Sequence, residues 1–271
     1  MITLTLEEQP RVPLEAEVLT PDVVRTLTTD AIRELPLYLG KRRRRVDDFF
    51  TVEGEHSDEL EIRGDVSQVK WIGRGMTRGR VTIAGNAGMH VGAYMQGGTI
   101  EVSGNVSDWL GAEMTGGLIR VGGDAGGQVG AAYRGSLSGM CDGSIVIRGT
   151  AGLEVGMRMK RGIIAVGGPV RDFAGLQMKG GTIVIRDGAE LRTGAWMVRG
   201  TIVCLTSIPL LPTFSYSATY NPGFLRLYAT YLETLGFTIA CDEQRGAFRR
   251  YTGDNAVPGK GEIFVWEPCA S

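Results

Sequence analysis

Residues 159–178 read MKRGIIAVGGPVRDFAGLQM, and residues 178–197 repeat the pattern as MKGGTIVIRDGAELRTGAWM. Read in steps of nineteen residues, the chain aligns with itself in this way seven times. Each step carries a methionine at the same place: Met76, Met95, Met114, Met140, Met159, Met178 and Met197. A fixed period of this length is typical of a solenoid. The repeat therefore decides the fold and argues against a catalytic role for this region.

Each repeat unit carries a triplet with apolar first and third residues, such as Ile145/Ile147 or Ile183/Ile185. The first and third side chains point inward and the middle one outward, as in a β-strand. Nineteen residues are too few for two packed helices, and recurrent glycines supply tight corners. We predict a mainly β fold, a right-handed parallel β-helix of about seven 19-residue coils with small α/β terminal caps. The outward places of the triplets are mixed: Glu61, Thr82, Glu101 and Arg120, but also Val146 and Val184.

The methionines are predicted to stack inside the coils, because Met fills irregular core space well. A Met-lined ligand groove or a metal–thioether site is the alternative interpretation. The fourth unit carries seven extra residues between Gly130 and Met140. This insertion, which includes residues 131–139, must bulge outward and is a candidate contact loop.

The chain divides into an N-terminal cap (1–59), the Gly-rich repeats (60–201) and a C-terminal α+β cap or partner-binding segment (202–271). In the N-terminal cap we predict a strand over residues 1–6 and a helix from Thr20-Pro21 toward Leu35. The basic run 41–45 is interpreted as a solvated loop or a partner contact, with a nuclear signal as a third possibility.

In the C-terminal segment, Asn221-Pro222 is predicted to start a helix that places Phe224, Tyr228 and Tyr231 on one face and ends at Gly236. Residues 237–240 and 262–266 are predicted to be strands. The segment is expected to pack along the repeats or onto a partner protein.

Composition excludes several classes of function. Of 271 residues, 43% are hydrophobic and 22% charged, and the formal net charge of −1 argues against nucleic acid as the main partner. The sequence shows no secretory signal and no apolar run of membrane-spanning length. The cysteines are widely spaced and do not indicate disulfides, which fits a reducing cytoplasmic location: Cys141, Cys204, Cys241 and Cys269.

Residues for catalysis or metal binding are sparse. The only histidines are His56 and His90, so a His-rich zinc site is excluded. The sequence contains no Walker (P-loop) motif. Its glycine pairs recur in every unit and do not precede a helix, as the glycines of a dinucleotide-binding motif would. No catalytic and no metal-binding residue is expected in this chain.

One patch with binding chemistry remains, a set of basic residues beside the methionine column. Stacked coils bring such residues to within about 5–10 Å of one another. The patch could hold a polyanion or an acidic partner, or be ordinary solvated charge balanced by Glu154 and Glu190. Its members, called here the basic stripe, are Arg158, Lys160, Arg161, Lys179, Arg192 and Arg199.

The repeat pattern is joined by two more specific features: the segment LPLYLG at 35–40 leading to Asp48-Phe49-Phe50, and the glycine spacing Gly149, Gly156, Gly162. Together they resemble the family formed by the C subunits of formylmethanofuran dehydrogenase. Within it they are most similar to the bacterial branch, the formyltransferase/hydrolase complex of methylotrophs. The likeness covers nearly the whole chain.

The resemblance implies a non-catalytic scaffold in a hetero-oligomer with the A, B and D subunits. That complex moves formyl from formyl-tetrahydromethanopterin to methylofuran on the D subunit, the formyltransferase, and hydrolyses it to formate on the amidohydrolase-like A subunit. Methylofuran (a methanofuran-like cofactor) and tetrahydromethanopterin serve the complex, and neither is expected to be bound tightly by this chain. Because the furan cofactor carries a glutamate-rich tail, Arg158, Lys160, Arg161, Lys179 and Arg199 are our candidates for contacting that tail.

Three alternatives stay open at this point. The chain could be the C subunit of a tungsten- or molybdenum-containing formylmethanofuran dehydrogenase of methanogenesis. It could instead be a free-standing carbohydrate-active β-helix enzyme, or a spacer like the Gly-rich coil domain of the glutamate synthase large subunit. The segments 1–59 and 202–271 argue against the spacer.

Overall fold

The computed structural model describes residues 1–239 and 246–268. Its helices are α1 (Pro21–Val24), α2 (Thr29–Arg33) and α3 (Phe224–Thr234), with a 3-10 helix at Val46–Asp48. The strands are β1 (Ile2–Leu6), β2 (Leu14–Glu15), β3 (Pro36–Leu39), β4 (Arg42–Arg45), β5 (Phe50–Glu53), β6 (Glu59–Arg63), β7 (Val69–Lys70), β8 (Arg80–Ala84), β9 (Thr99–Val102), β10 (Thr115–Val121), β11 (Asp142–Ile147), β12 (Ile163–Val166), β13 (Lys179–Ile185), β14 (Arg199–Cys204), β15 (Ser215–Tyr220), β16 (Gly246–Gly253) and β17 (Gly261–Pro268).

Thirteen strands of the described residues form one sheet, in the order β15-β16-β17-β14-β13-β12-β11-β10-β9-β8-β6-β1-β5. In the order of the sheet, every neighbouring pair from β1 and β6 through to β14 and β17 is parallel. The antiparallel pairs lie at the two ends, β1 with β5 at one end and β15, β16 and β17 at the other. Four further strands form a small sheet in the order β4-β3-β2-β7. The chain is thus mainly β with a large, mostly parallel sheet, as the repeat predicted.

Neighbouring parallel strands pair equivalent places of successive repeat units. Ile145, Ile164, Ile183 and Ile202 lie side by side in register across β11 to β14. A second parallel ladder of single bridges joins the same units elsewhere in the period: Val66, Ala87, Val106, Ala125, Ala151, Val170 and Ala189. Each unit therefore contacts the next at two places.

The methionine column lies in the core. All seven repeat methionines have no exposed surface, which confirms the prediction of an interior stack. A glycine follows each methionine within a few residues, as Gly162 follows Met159, and the same stacking requires it. Gly162 has φ +92°, and a Cβ there would lie 2.6 Å from the carbonyl oxygen of Gly143 in the preceding unit. Only glycine combines that backbone conformation with such close approach.

The outward column of the triplets changes character along the sheet. Where it faces solvent it is polar, and Glu101 accepts hydrogen bonds from the flanking Arg80 and Arg120. Where the C-terminal segment covers it, it is apolar and joins a second core with the helix and the last strands: Val146, Ala165, Val184, Val203, Leu225, Leu232, Phe237, Phe248 and Phe264. The mixed outward residues of the sequence thus mark which units the C-terminal segment covers.

The N-terminal cap agrees with the sequence in part. The strand over residues 1–6 is confirmed as β1, which pairs in parallel with β6 and antiparallel with β5, the last strand at that end of the sheet. The predicted helix toward Leu35 is wrong as one element, because the Thr28 hydroxyl accepts the Ala31 N–H and starts a separate helix. The run 41–45 is not a loop, since residues 42–45 form the exposed edge strand β4.

The C-terminal helix is confirmed as α3, and it ends before Gly236, which has φ +77°. The strand at 262–266 is confirmed within β17. Residues 237–239 are not a strand, and Ala240, Cys241 and Cys269 lie outside the described residues. None of the helices in the described ranges is both long enough and apolar enough to cross a membrane.

Candidate functional site

The parallel stacking brings some members of the basic stripe together in the last repeat units. Backbone hydrogen bonds from Lys160, Lys179, Val198 and Lys260 to the preceding unit place these residues in one column. Arg199 lies beside Lys179 in the register of β13 and β14. Lys260 was missed by sequence reasoning because it reaches the column from outside the repeats, through the strand that extends the sheet.

Part of the basic stripe is engaged within the chain. The Arg158 guanidinium donates to Gln177 Oε1 at 2.7 Å and to the carbonyl oxygen of Ser136. Lys179 Nζ donates to the carbonyl oxygen of Leu137 at 2.6 Å. These two cations therefore hold the insertion 131–139 against the repeats. Leu137 in the insertion is 75% exposed, and the role of the insertion as a contact loop stays a prediction.

Arg192 is also engaged, through an ion pair with Asp172 and a stack on the Phe173 ring at 4.1 Å. The two acids expected to balance the stripe bond elsewhere in the chain. Glu154 accepts from the Gln128 amide at 2.9 Å, and Glu190 lies 3.7 Å from Arg171.

Lys160, Arg161 and Arg199 are exposed, and their side chains have no hydrogen-bonding or ion-pair partner among the described residues. Arg161 lines a groove of 640 Å³ between α3 and the corners of the repeat units. Five glycines line this groove together with Asp142, Ser144 and Ile163, and Tyr228 and Tyr231 form its wall. A hollow of 600 Å³ that shares both tyrosines continues the groove along α3.

The structure also shows an aromatic cluster that sequence reasoning did not identify. Trp71, His90 and Trp109 occupy one place of successive units, all with positive φ. Tyr133 of the insertion covers them, with its ring 4.8 Å from Trp109 and its hydroxyl 2.8 Å from His90 Nδ1. The signal was available in the sequence, since the three residues are spaced by nineteen.

Burial in this cluster lowers the pKa of His90 from 6.5 to about 4, and the nearby charge of Lys70 acts in the same direction. Burial also raises the pKa of the Tyr133 hydroxyl. Both groups are therefore neutral near pH 7 and bonded to each other. The cluster fastens the other end of the insertion to the repeats, which is a structural role.

Other reactive groups are few. Within the described ranges, no group of three or more His, Cys, Asp or Glu side chains is close enough to hold a metal ion. Cys141 and Cys204 are free thiols, and burial raises the pKa of Cys204 to about 12.

Comparison with known proteins gave full-length relatives, although no protein-family model matches the chain. It is 34% identical over 269 residues to the C subunit of tungsten-containing formylmethanofuran dehydrogenase 2 from Methanococcus maripaludis, covering 97% of this chain and 96% of that protein. The protein of the same name from Methanothermobacter thermautotrophicus is 42% identical over 97 residues. That match covers 34% of this chain and only 36% of the relative's length.

Among solved structures, the chain is similar to one from Methylorubrum extorquens, in the crystal structure of its formyltransferase/hydrolase complex with methylofuran. The TM-score is 0.90 at 33% identity, and the superposition covers 97% of this chain and 98% of that chain. The likeness thus includes both terminal segments as well as the repeats.

Proposed function

The chain belongs to the family of formylmethanofuran dehydrogenase C subunits, and from this membership we propose that it is the non-catalytic structural subunit of a formyl-transferring enzyme complex. The observation that carries the proposal is the TM-score of 0.90 over 97% of the chain to part of a formyltransferase/hydrolase complex. Both terminal segments share in that likeness, and among their described residues each has exposed side chains that a partner protein can contact.

In the proposed complex, formyl moves from formyl-tetrahydromethanopterin to methylofuran on the D subunit and is hydrolysed to formate on the A subunit. This chain assembles with them and with the B subunit in the cytoplasm, as part of one-carbon metabolism. Its contribution is to hold the two reaction centres at a fixed separation, since positioning alone has large effects on rates. The in-register parallel sheet supports a rigid rod, for which we propose a right-handed β-helix of about seven coils.

We further propose that the glutamate-rich tail of methylofuran passes over Lys160, Arg161 and Arg199. These three cations have no carboxylate partner among the described residues, which suits an extended chain of carboxylates, and Arg161 lines a glycine-rich groove whose one acid is Asp142. Arg158 and Lys179 add positive charge to this surface, although some of their donors are used by the insertion.

A second candidate is the C subunit of a tungsten- or molybdenum-containing formylmethanofuran dehydrogenase. The full-length likeness to the tungsten-containing enzyme of Methanococcus maripaludis, at 34% identity, favours it. The two candidates differ in the partner proteins and share the scaffold role.

Affinity purification of the tagged chain from its source cells, with mass spectrometry of the bound proteins, tests the proposal. We expect an amidohydrolase-like protein and a formyltransferase to be recovered. Recovery of a molybdopterin-binding protein and iron–sulfur proteins would support the dehydrogenase instead. A chain recovered alone would refute the scaffold role and favour a free-standing enzyme.

The tail contact is tested in the assembled complex with Lys160→Glu/Arg161→Glu. A charge pair about 5 Å apart in water contributes about 0.8 kcal/mol, so reversing two charges costs about 3 kcal/mol. The apparent KM for the long-tailed cofactor should rise about 100-fold at low salt and by less at high salt. Arg78→Glu is the matched control, because Arg78 occupies the place of Arg161 in the first unit. An unchanged KM in an intact complex would refute the contact.

A further inference from the structure

The basic run 41–45 has no role in the function proposed above, and the structure places most of it on a free strand edge. β4 pairs with β3 on one side and ends the small sheet on the other. All four of its arginines are exposed. An unpaired edge presents backbone N–H and C=O groups at strand spacing, which is a template for a further strand.

Among the described residues, only one of the four arginines of β4 has an ion-pair partner. Arg45 forms an ion pair with Asp47 at 2.6 Å, and its backbone N–H donates to Asp48 at 3.0 Å. Arg42, Arg43 and Arg44 have no ion pair or side-chain hydrogen bond with any described residue. Because Arg45 is engaged in this way, the edge open to a partner consists of Arg42, Arg43 and Arg44. No carboxylate of the described residues pairs with their side chains.

A cleft of 410 Å³ runs beside this edge. Arg42 and Arg44, two residues apart and hence on one face of the strand, line it together with Arg11. Its apolar lining includes the buried Phe49, and its two acids are Glu8 and Asp48. No ion pair joins these acids to the three arginines in the part of the chain that the structure describes.

We propose that the free edge of β4 docks an extended, acidic segment of a neighbouring subunit, which adds to the small sheet as a strand. Carboxylates at alternate positions of that segment would lie about 7 Å apart and face Arg42 and Arg44. The planar guanidinium binds carboxylate with two parallel hydrogen bonds, and the added backbone pairing supplies further affinity. The proposal rests on the scaffold function, because the partner is another member of that complex.

An acidic polypeptide fits this surface better than a nucleic acid does. Charge alone would serve a phosphate backbone, whereas the strand edge offers backbone groups that only another strand satisfies at this spacing. The chain as a whole carries a net charge of −1, so the local positive charge is an exception to its general balance.

Arginines on an edge can also serve only to prevent aggregation, and charge reversal separates that role from docking. The tagged full chain and its Arg42→Glu/Arg44→Glu variant are purified with their complex from source cells. The reversed edge is still charged and remains protected against aggregation, but it repels an acidic partner. We expect the recovery of one partner protein to fall at least tenfold while the others are retained.

Two further variants keep this test falsifiable. Arg42→Lys/Arg44→Lys retains the charge and loses the two-bond geometry, so recovery of the same partner should fall only a few-fold. Arg78→Glu/Arg171→Glu makes the same change of charge at exposed sites elsewhere and should leave recovery unchanged. Equal loss from both reversed variants would overturn the proposal.

Lys41 allows the partner segment to be identified directly. A carbodiimide couples an amine to a carboxylate in contact with it, so Lys41 should be joined to a segment of alternating acids in the partner that the variant loses. The exposed Lys260 is the control amine and should not capture that segment. Coupling to no partner, or release of bound material by nuclease, would overturn the proposal.

The outcomes also separate this proposal from the scaffold function. If the reversed variant retains every partner, the β4 contact is wrong and the scaffold function stands. If the wild-type chain recovers no partner, the scaffold function fails and the β4 contact falls with it.

Discussion

Removal of the Tyr133 ring should restore an ordinary titration to His90. The ring lies 5.6 Å from the His90 ring and covers it from the side of the insertion, and the hydroxyl contacts Nδ1 at 2.8 Å. Burial is the main reason that the pKa of His90 is lowered to about 4. In Tyr133→Ala, water reaches the imidazole, and its pKa should rise to roughly 5.5–6.5.

The same substitution should change how stability depends on pH. His90 has a lower pKa folded than unfolded, so between about pH 4 and 6.5 the unfolded chain binds more protons and stability falls as pH falls. The full difference corresponds to about 3 kcal/mol, which the partial exposure of His90 reduces to about 1–2 kcal/mol. Tyr133→Ala should remove most of this pH dependence while destabilising the chain by about 3–5 kcal/mol.

The assay is NMR titration of the histidine rings combined with urea unfolding at pH 5 and pH 7. The chain has two histidines, His56 and His90, so their two ring signals are assigned separately. Tyr133→Phe is the matched control, since it keeps the covering ring and removes only the hydroxyl. It should keep the pKa of His90 low at a cost of about 1 kcal/mol. If His90 still titrates near 4 in Tyr133→Ala, the attribution of its pKa to burial under the insertion is refuted.

Three further substitutions or reactions test the repeat core. Gly162→Ala should destabilise the chain by several kcal/mol more than Gly135→Ala in urea unfolding, because both have φ +92° but only at Gly162 would a Cβ meet backbone, the Gly143 carbonyl, within 4 Å; equal effects would refute the steric account. Met159→Ala should cost about 2–5 kcal/mol, measured by the same assay, since its side chain has no exposed surface; a loss below about 1 kcal/mol would contradict a packed interior column. Cys204, whose pKa burial raises to about 12, should react with a thiol reagent at pH 8 only after unfolding, as followed by mass spectrometry of the modified peptide; rapid labelling of the folded chain would contradict its burial.

The basic stripe shows how far residue spacing predicts a site. Equal places do stack, since Lys160, Lys179 and Val198 bond the preceding unit in the same way, whereas Lys179 pairs with Arg199 only across a register shift that the spacing does not predict. Spacing could not show that Lys179 and Arg158 bond the insertion, since that depends on where seven extra residues return to the surface. The side chains of Lys160, Arg161 and Arg199 have no such partner among the described residues. The repeat period alone could not distinguish these cations from Arg158 and Lys179.

The basic run 41–45 differs most from its interpretation in the sequence. The sequence was interpreted there as a solvated loop or a partner contact, with a nuclear signal as a third possibility. The structure makes it a strand because β3 offers a paired edge and Val46 enters the core at 0% exposure. Tertiary pairing decides such a segment, since strand propensity depends on its neighbours.

The sequence by itself determined the mainly β, mostly parallel architecture and the interior methionine column, because a nineteen-residue period makes every unit impose the same local geometry on the next. Only the tertiary structure decided how the C-terminal helix packs on the units with apolar outward residues, where the insertion is fastened and which cations have unpaired side chains. These features depend on contacts between residues far apart in the chain, such as Ser144 with Tyr231 and His90 with Tyr133. A local pattern carries no information about such contacts, because they depend on how separate segments come together after each has folded.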